Sequence, residues 1–102
     1  MKRKRIFSGI QPTGIIHIGN YVGAIKNWVG LTADYDCIYC VVDYHAMTIE
    51  YDTAAFYDNI MNAARTLIAC GLEQERCTLF VQSHVPEHTE LAWIFNCLSP
   101  LG

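Results

Sequence analysis

The chain has 102 residues, 52% of them hydrophobic, enough for one small domain with one core; at this size roughly 60–70% of the unfolded surface is buried on folding. A formal net charge of −3, with Lys2–Arg5 as the one basic run, argues against a nucleic-acid-binding face, and that run reads as a solvated terminus. No apolar stretch is long enough to suggest a membrane span, no signal-peptide core follows the basic start, and five scattered cysteines suit reduced thiols better than a disulfide framework, so the expected setting is the cytoplasm.

Arg5 to Ser8 reads as a short strand, followed by a loop from Gly9 to His17. Ile18, Val22, Ile25 and Val29 then recur at helical spacing, and the helix they predict ends near Gly30. Asp36 to Val42 is nearly all apolar, the pattern of a buried strand. It carries a C-x-x-C pair, Cys37 and Cys40. Strand residues three apart face opposite sides, so these sulfurs diverge, and no second C-x-x-C or paired histidines complete a metal site. Core packing is therefore preferred to zinc or redox chemistry.

Asp43 to Tyr51 reads as a second loop. Asp43 suits a cap of that loop better than a general base. Asp52 or Thr53 can cap a long helix whose apolar positions include Phe56, Ile60, Ala63, Ala64, Leu67 and Ile68, with Gly71 just past its end. Cys77 to Gln82 reads as a third strand, and Pro86 opens a last helix through Trp93 to about Leu98. This βαβαβα order predicts an α/β fold with a parallel sheet. Ligands of such sheets bind outside the carboxyl ends of the strands. Gln11–Asn20, Asp43–Thr48 and Ser83–Val85 should therefore share one rim.

The first loop is the richest in chemistry. Gly9 and Gly14 permit crowded or left-handed backbone, and Pro12 stiffens the turn. Gly19 lets a ligand approach the first helical turn, where His17 and Asn20 are neighbours three residues apart. Unpaired N–H groups at a helix N-terminus, with a histidine beside them, suit a phosphate. An ordinary strand-to-helix turn capped by His17 fits the same residues. Neither a Walker loop nor a G-x-G-x-x-G fingerprint is present.

Three segments carry a family resemblance. Ser8-Gly-Ile-Gln-Pro-Thr-Gly14 with His17-Ile-Gly-Asn20, then Val42-Asp-Tyr-His-Ala-Met-Thr48, then Leu79-Phe-Val-Gln-Ser-His-Val-Pro86 with Ala92-Trp93, occur in that order. Together they resemble the tryptophanyl-tRNA synthetases of class I, over essentially the whole chain. The resemblance implies the first half of a Rossmann-like nucleotide-binding domain. Residues 1–102 would be the N-terminal half of the catalytic domain, without the anticodon-binding domain. It further implies that Gln11, Pro12, Thr13, His17, Gly19 and Asn20 contact ATP, brought as its Mg²⁺ complex. His17 and Asn20 would serve the catalytic step, with no metal held by the protein itself. Phe7, Gly9, Val42 and His45 would line the tryptophan pocket. Asn20 stands where the family signature usually has a second histidine, so its implied role is to position ligand.

The implied reaction joins L-tryptophan to ATP as an adenylate, then transfers it to tRNA(Trp), in a homodimeric enzyme. The family's lysine-bearing second signature loop has no equivalent here, where the lysines are Lys2, Lys4 and Lys26. The chain alone is accordingly expected to be a truncated piece that binds ATP weakly, with little or no activity. Half of a sheet would also leave an edge and apolar faces open to self-association. The competing readings are a non-catalytic nucleotide-binding module and a related H-x-G-H nucleotidyltransferase.

Overall fold

The computed structural model describes residues 2–100. Strand β1 (Arg5–Ile10) pairs in parallel with β2 (Asp36–Val41), which pairs in parallel with β3 (Thr78–Val81). The order is β1-β2-β3, so β2 is central and carries the most buried residues, as its apolar composition requires. An ion pair of 2.7 Å between Arg5 and Asp36 joins the first residues of β1 and β2, which are also register partners.

The register sorts the side chains onto two faces. Ile6, Ser8 and Ile10 lie level with Cys37, Tyr39 and Val41, and Leu79 and Val81 continue that face on β3. Phe7 and Gly9 lie level with Ile38 and Cys40 on the opposite face, which Phe80 extends. Cys37 and Cys40 thus fall on opposite faces, as their spacing predicts, and both are buried free thiols.

The first face holds the core. Helix α1 begins as Ile18–Asn20, widens to a π segment at Tyr21–Ile25 and continues as Lys26–Leu31. In the π segment the Lys26 N–H reaches back to the Tyr21 carbonyl. A short helix α2 (Asp43–Ala46) follows β2, and the long α3 is Phe56–Ala69. From α3, Ile60, Ala63 and Leu67 project at helical spacing onto Ile25, Cys37, Tyr39, Val41 and Leu72. Tyr39 is fully buried, stacks on Trp28 with ring centres 4.8 Å apart, and donates its hydroxyl to the Trp28 carbonyl at 3.0 Å. Burial, then the neighbouring Cys37, raises the pKa of its phenol.

Gly71 ends α3 with φ +109°, a region that favours glycine. Its N–H bonds the Ile68 carbonyl at 2.9 Å, and the Leu72 N–H bonds that of Leu67 at 3.2 Å. This pair of bonds is a Schellman termination, and it draws Leu72 into the core. After β3 a 3₁₀ turn at Gln82–His84 leads to helix α4 (Glu87–Leu98), whose Pro86 cap agrees with the sequence.

β3 is shorter at both ends than the expected Cys77–Gln82, and the structure departs further from the sequence reading at three places. Strand β1 runs through Gly9 and Ile10, which read as loop. Gly9 is there for packing: a Cβ would stand 2.8 Å from Val42 Cγ1 and 3.1 Å from the Cys40 carbonyl oxygen. The expected loop after β2 begins as α2. Asp52 accepts the Ala54 N–H at 2.9 Å, so it caps the turn ahead of α3, whose first residue is Phe56.

Candidate functional site

The turn from β1 to α1 is built around a reciprocal cap. His17 has extended backbone at the N-cap, and its Nδ1 accepts the Gly19 N–H at 3.1 Å. Asn20 Oδ1 accepts the His17 N–H at 3.0 Å. With Nδ1 used as an acceptor, the proton of the neutral ring sits on Nε2, which is left as a free donor. A Cβ at Gly19 would lie 2.9 Å from His17 Cε1 and 3.0 Å from Nδ1, so only glycine lets the imidazole close on its cap. Gly14, at φ +143°, turns the loop back.

A cavity of about 290 Å³ opens here, lined by Gln11, Thr13, His17 and Asn20 together with apolar residues of the same loop. Four of the six residues expected to contact ATP therefore share one cavity. Pro12 is separate: it is fully buried and borders a neighbouring cavity with Tyr51 and Phe56. Gly19 acts on the shape of the cavity through His17.

A second cavity, of about 430 Å³, lies on the face of the sheet opposite the core. Phe7, Gly9, Val42 and His45, the residues expected around tryptophan, all line it, with Gln11, Cys40, Gln82 and His88. Phe7 is 62% exposed and sits 6.4 Å from Phe80, which in turn stacks on His88 at 5.8 Å. Burial, followed by the charge of Asp43, pushes the Cys40 thiol up to about 11, so this part of the wall stays neutral at ordinary pH. Gln11 lines both cavities.

Asp43 sits between the loops and is only 4% exposed. Its Oδ1 accepts the N–H of Tyr44 at 3.1 Å and that of Ser83 at 3.0 Å. It is the first residue of α2, whose N-cap is Val42, so it acts not as the expected cap but as a tie from α2 to the turn after β3. Three strand ends thus share one rim. Cys40, which reads as core packing, Gln82, which reads as the end of a strand, and His88 also join this cavity; the position of Gln82 after β3 could have marked it. Among the described residues no cluster of three or more His, Cys, Asp or Glu is placed to hold a metal ion.

The family model described as tRNA synthetases class I (W and Y) matches residues 1–102. The chain belongs to this family. Among curated class I relatives, the tryptophan–tRNA ligase of Prochlorococcus marinus is 50% identical over 102 residues, covering 100% of this chain and 30% of that protein. Tryptophan–tRNA ligase 2 of Streptomyces avermitilis is 56% identical over 101 residues, covering 98% and 30%. The chain thus spans about 30% of the length of these relatives.

The crystal structure of tryptophanyl-tRNA synthetase from Campylobacter jejuni superposes with a TM-score of 0.88 at 34% identity, over 97% of this chain and 31% of that one. Its complex with ADP and tryptophan gives a TM-score of 0.87 at 35% identity, over 94% and 30%. The parallel sheet with its helices is therefore the Rossmann-like arrangement of the class I synthetase catalytic domain.

Proposed function

We propose that this chain forms one wall of a tryptophan–tRNA ligase site, with ATP on the Gln11–Asn20 turn and L-tryptophan against Phe7 and Gly9. The observation that carries the reading is Gln11. It borders both cavities, so ligands in the two would meet beside its amide, where a carboxylate and an α-phosphate must be brought together. The Campylobacter jejuni relative in complex with ADP and tryptophan supports this pair of ligands.

In the proposed reaction the tryptophan carboxylate attacks the α-phosphorus of ATP, and pyrophosphate leaves. A terminal ribose hydroxyl of tRNA(Trp) then attacks the acyl carbon of the adenylate, the acyl–phosphate bond breaks and AMP leaves. Such chemistry needs alignment and charge stabilisation more than a protein nucleophile. His17 donates from Nε2 to a phosphate oxygen, while its Nδ1 stays on the cap. Asn20 holds His17 in place through its backbone N–H. Phe7, Val42 and the neutral Cys40 give the indole an apolar surface, and His45 stands beside it. Mg²⁺ carried on the nucleotide would supply charge neutralisation on the phosphates, and no carboxylate cluster among the described residues is placed to hold it.

Neither cavity is lined by a lysine. That supports weak ATP binding with little or no adenylate formation by these 102 residues alone, and it favours a nucleotide-binding module as the second reading. The proposal also takes in tRNA(Trp) and a second copy of the chain as partners, and a cytoplasmic setting; no helix among the described residues is long and apolar enough to cross a membrane.

His17→Asn tests the reading. Asparagine can keep the cap to Gly19 through Oδ1, but its Nδ2 donor falls short of the position that His17 Nε2 reaches. Calorimetric titration is expected to show ATP affinity lowered about tenfold, the worth of a charge-assisted hydrogen bond, with tryptophan affinity unchanged. Unaltered ATP affinity would overturn the assignment.

A further inference from the structure

We propose that Gln82 is a positioning residue that locks His45 and His88 in one tautomer, so that both rings stand as lone-pair acceptors on the wall of the aromatic cavity. The inference rests on the tryptophan reading of that cavity given above. Gln82 opens the 3₁₀ turn after β3, and Asp43 holds the next residue through the Ser83 N–H. Its backbone carbonyl lies 3.2 Å from His88 Nδ1. A carbonyl only accepts, so the neutral His88 ring carries its proton on Nδ1, leaving the Nε2 lone pair free. The side-chain Oε1 lies 3.1 Å from His45 Nδ1 and imposes the same tautomer there.

One residue thus sets two imidazoles that come from different helices, α2 and α4. Phe80 fixes the plane of the second by stacking on it. Both rings and Gln82 line the 430 Å³ cavity. A wall of aromatic carbon with acceptor nitrogens favours a ligand bearing N–H donors, such as the ammonium or ring N–H of an aromatic amino acid. It disfavours a ligand group that can only accept, because acceptors covered by such a ligand would be left unpaired. If His45 were free to exchange tautomers, it would present a donor for part of the time and weaken that preference.

The decisive measurement is long-range ¹H–¹⁵N NMR of the imidazole nitrogens in the 102-residue chain, with tryptophan and ATP titrations alongside. In the wild-type chain both rings should read as Nδ1–H. Gln82→Met keeps the length of the side chain and removes the acceptor. It should release His45 toward the Nε2–H form and leave His88 unchanged, since a backbone carbonyl holds that ring. His88 therefore reports that the fold is intact. Tryptophan affinity should fall about tenfold, the scale of one lost hydrogen bond, with ATP affinity unmoved. Gln82→Glu restores an acceptor, and should restore both the His45 signature and tryptophan binding.

His45 reading as Nε2–H in the wild type overturns the lock, because the amide of Gln82 would then be donating. A Gln82→Met variant with unchanged His45 and unchanged tryptophan affinity overturns it as well. A wild-type chain that binds no tryptophan would overturn the ligand assigned to the cavity, and the NMR arm would still decide the tautomers.

Discussion

Replacing Asp43 by alanine removes the buried side chain that ties α2 to the turn after β3, leaving the His45–Gln82 contact as the other link between them. In the native protein its Oδ1 accepts two backbone N–H groups, from Tyr44 and Ser83, at 3.1 and 3.0 Å. At 4% exposure the site gives those donors little access to water. Each unpaired donor costs about 1–3 kcal/mol, so Asp43→Ala should destabilise the chain by about 2–6 kcal/mol. That is a large share of the roughly 5–15 kcal/mol that holds an ordinary domain together. Asp43→Asn keeps an acceptor oxygen and loses only the assistance of the charge, about 1–3 kcal/mol over two bonds.

Urea unfolding followed by tryptophan emission gives the stabilities, and Trp28, stacked on Tyr39 beside the core, is the reporting ring. Amide hydrogen exchange gives the location: protection at Ser83 should vanish in the alanine variant and survive in the asparagine variant. An alanine variant within about 0.5 kcal/mol of wild type, the range of an ordinary surface change, would refute the clamp. It would also reopen the reading of Asp43 as a general base, which is disfavoured while its Oδ1 is committed to backbone donors.

Gly9→Ala puts a Cβ 2.8 Å from Val42 Cγ1 and should push that side chain into the aromatic cavity. A loss of about 1–3 kcal/mol in urea unfolding, with weaker tryptophan binding by calorimetry, is the expected result. Gly19→Ala places its Cβ 2.9 Å from the His17 ring and should drive the imidazole off its cap. It should cost about 1 kcal/mol of stability and most of the ATP affinity, read by thermal shift with and without nucleotide. The Cys40 thiol titrates near 11 when folded, against an ordinary 9.0, so its burial stabilises the fold fully below pH 9 and loses that contribution as pH rises through 11. Urea midpoints measured from pH 9 to 11 should fall, and fall less steeply in Cys40→Ala. Tyr39 and Cys77, also shifted upward, keep some slope in that variant.

What was legible in the sequence depended on how local its cause is. The order of strands and helices follows from apolar periodicity, and the end of α3 from a single glycine, Gly71, that a left-handed backbone requires. The divergence of Cys37 and Cys40 follows from strand parity alone. The gathering of Phe7, Gly9, Val42 and His45 in one cavity needed two further things, the resemblance and the rule that ligands sit at the carboxyl ends of parallel strands. What was not legible depends on distances across strands. Gly9 reads as a turn glycine until the register puts Val42 beside it. Asp43 to Ala46 has no helical period long enough to read, because a single turn is held by a bond from the distant Ser83 N–H to Asp43. Gln82 lies inside the third resemblance segment and His88 outside it, and their contact exists only once the 3₁₀ turn folds the chain back.

His17 shows why an ordinary structural role and the proposed binding role need not compete. The sequence leaves a choice between a capping histidine and one that grips phosphate. In the structure the cap engages one ring nitrogen, and that engagement fixes the proton on the other. A ring left without the cap could rotate and exchange tautomers, and would make a poorer phosphate donor. Asn20 completes the arrangement by holding the His17 backbone N–H, so the residue that replaces the usual second histidine acts on the first one. The same logic holds at Gln82, where ordinary fold-making bonds settle which face of each imidazole a ligand would meet. In both places the structural bond is the means by which the site acquires a defined chemistry.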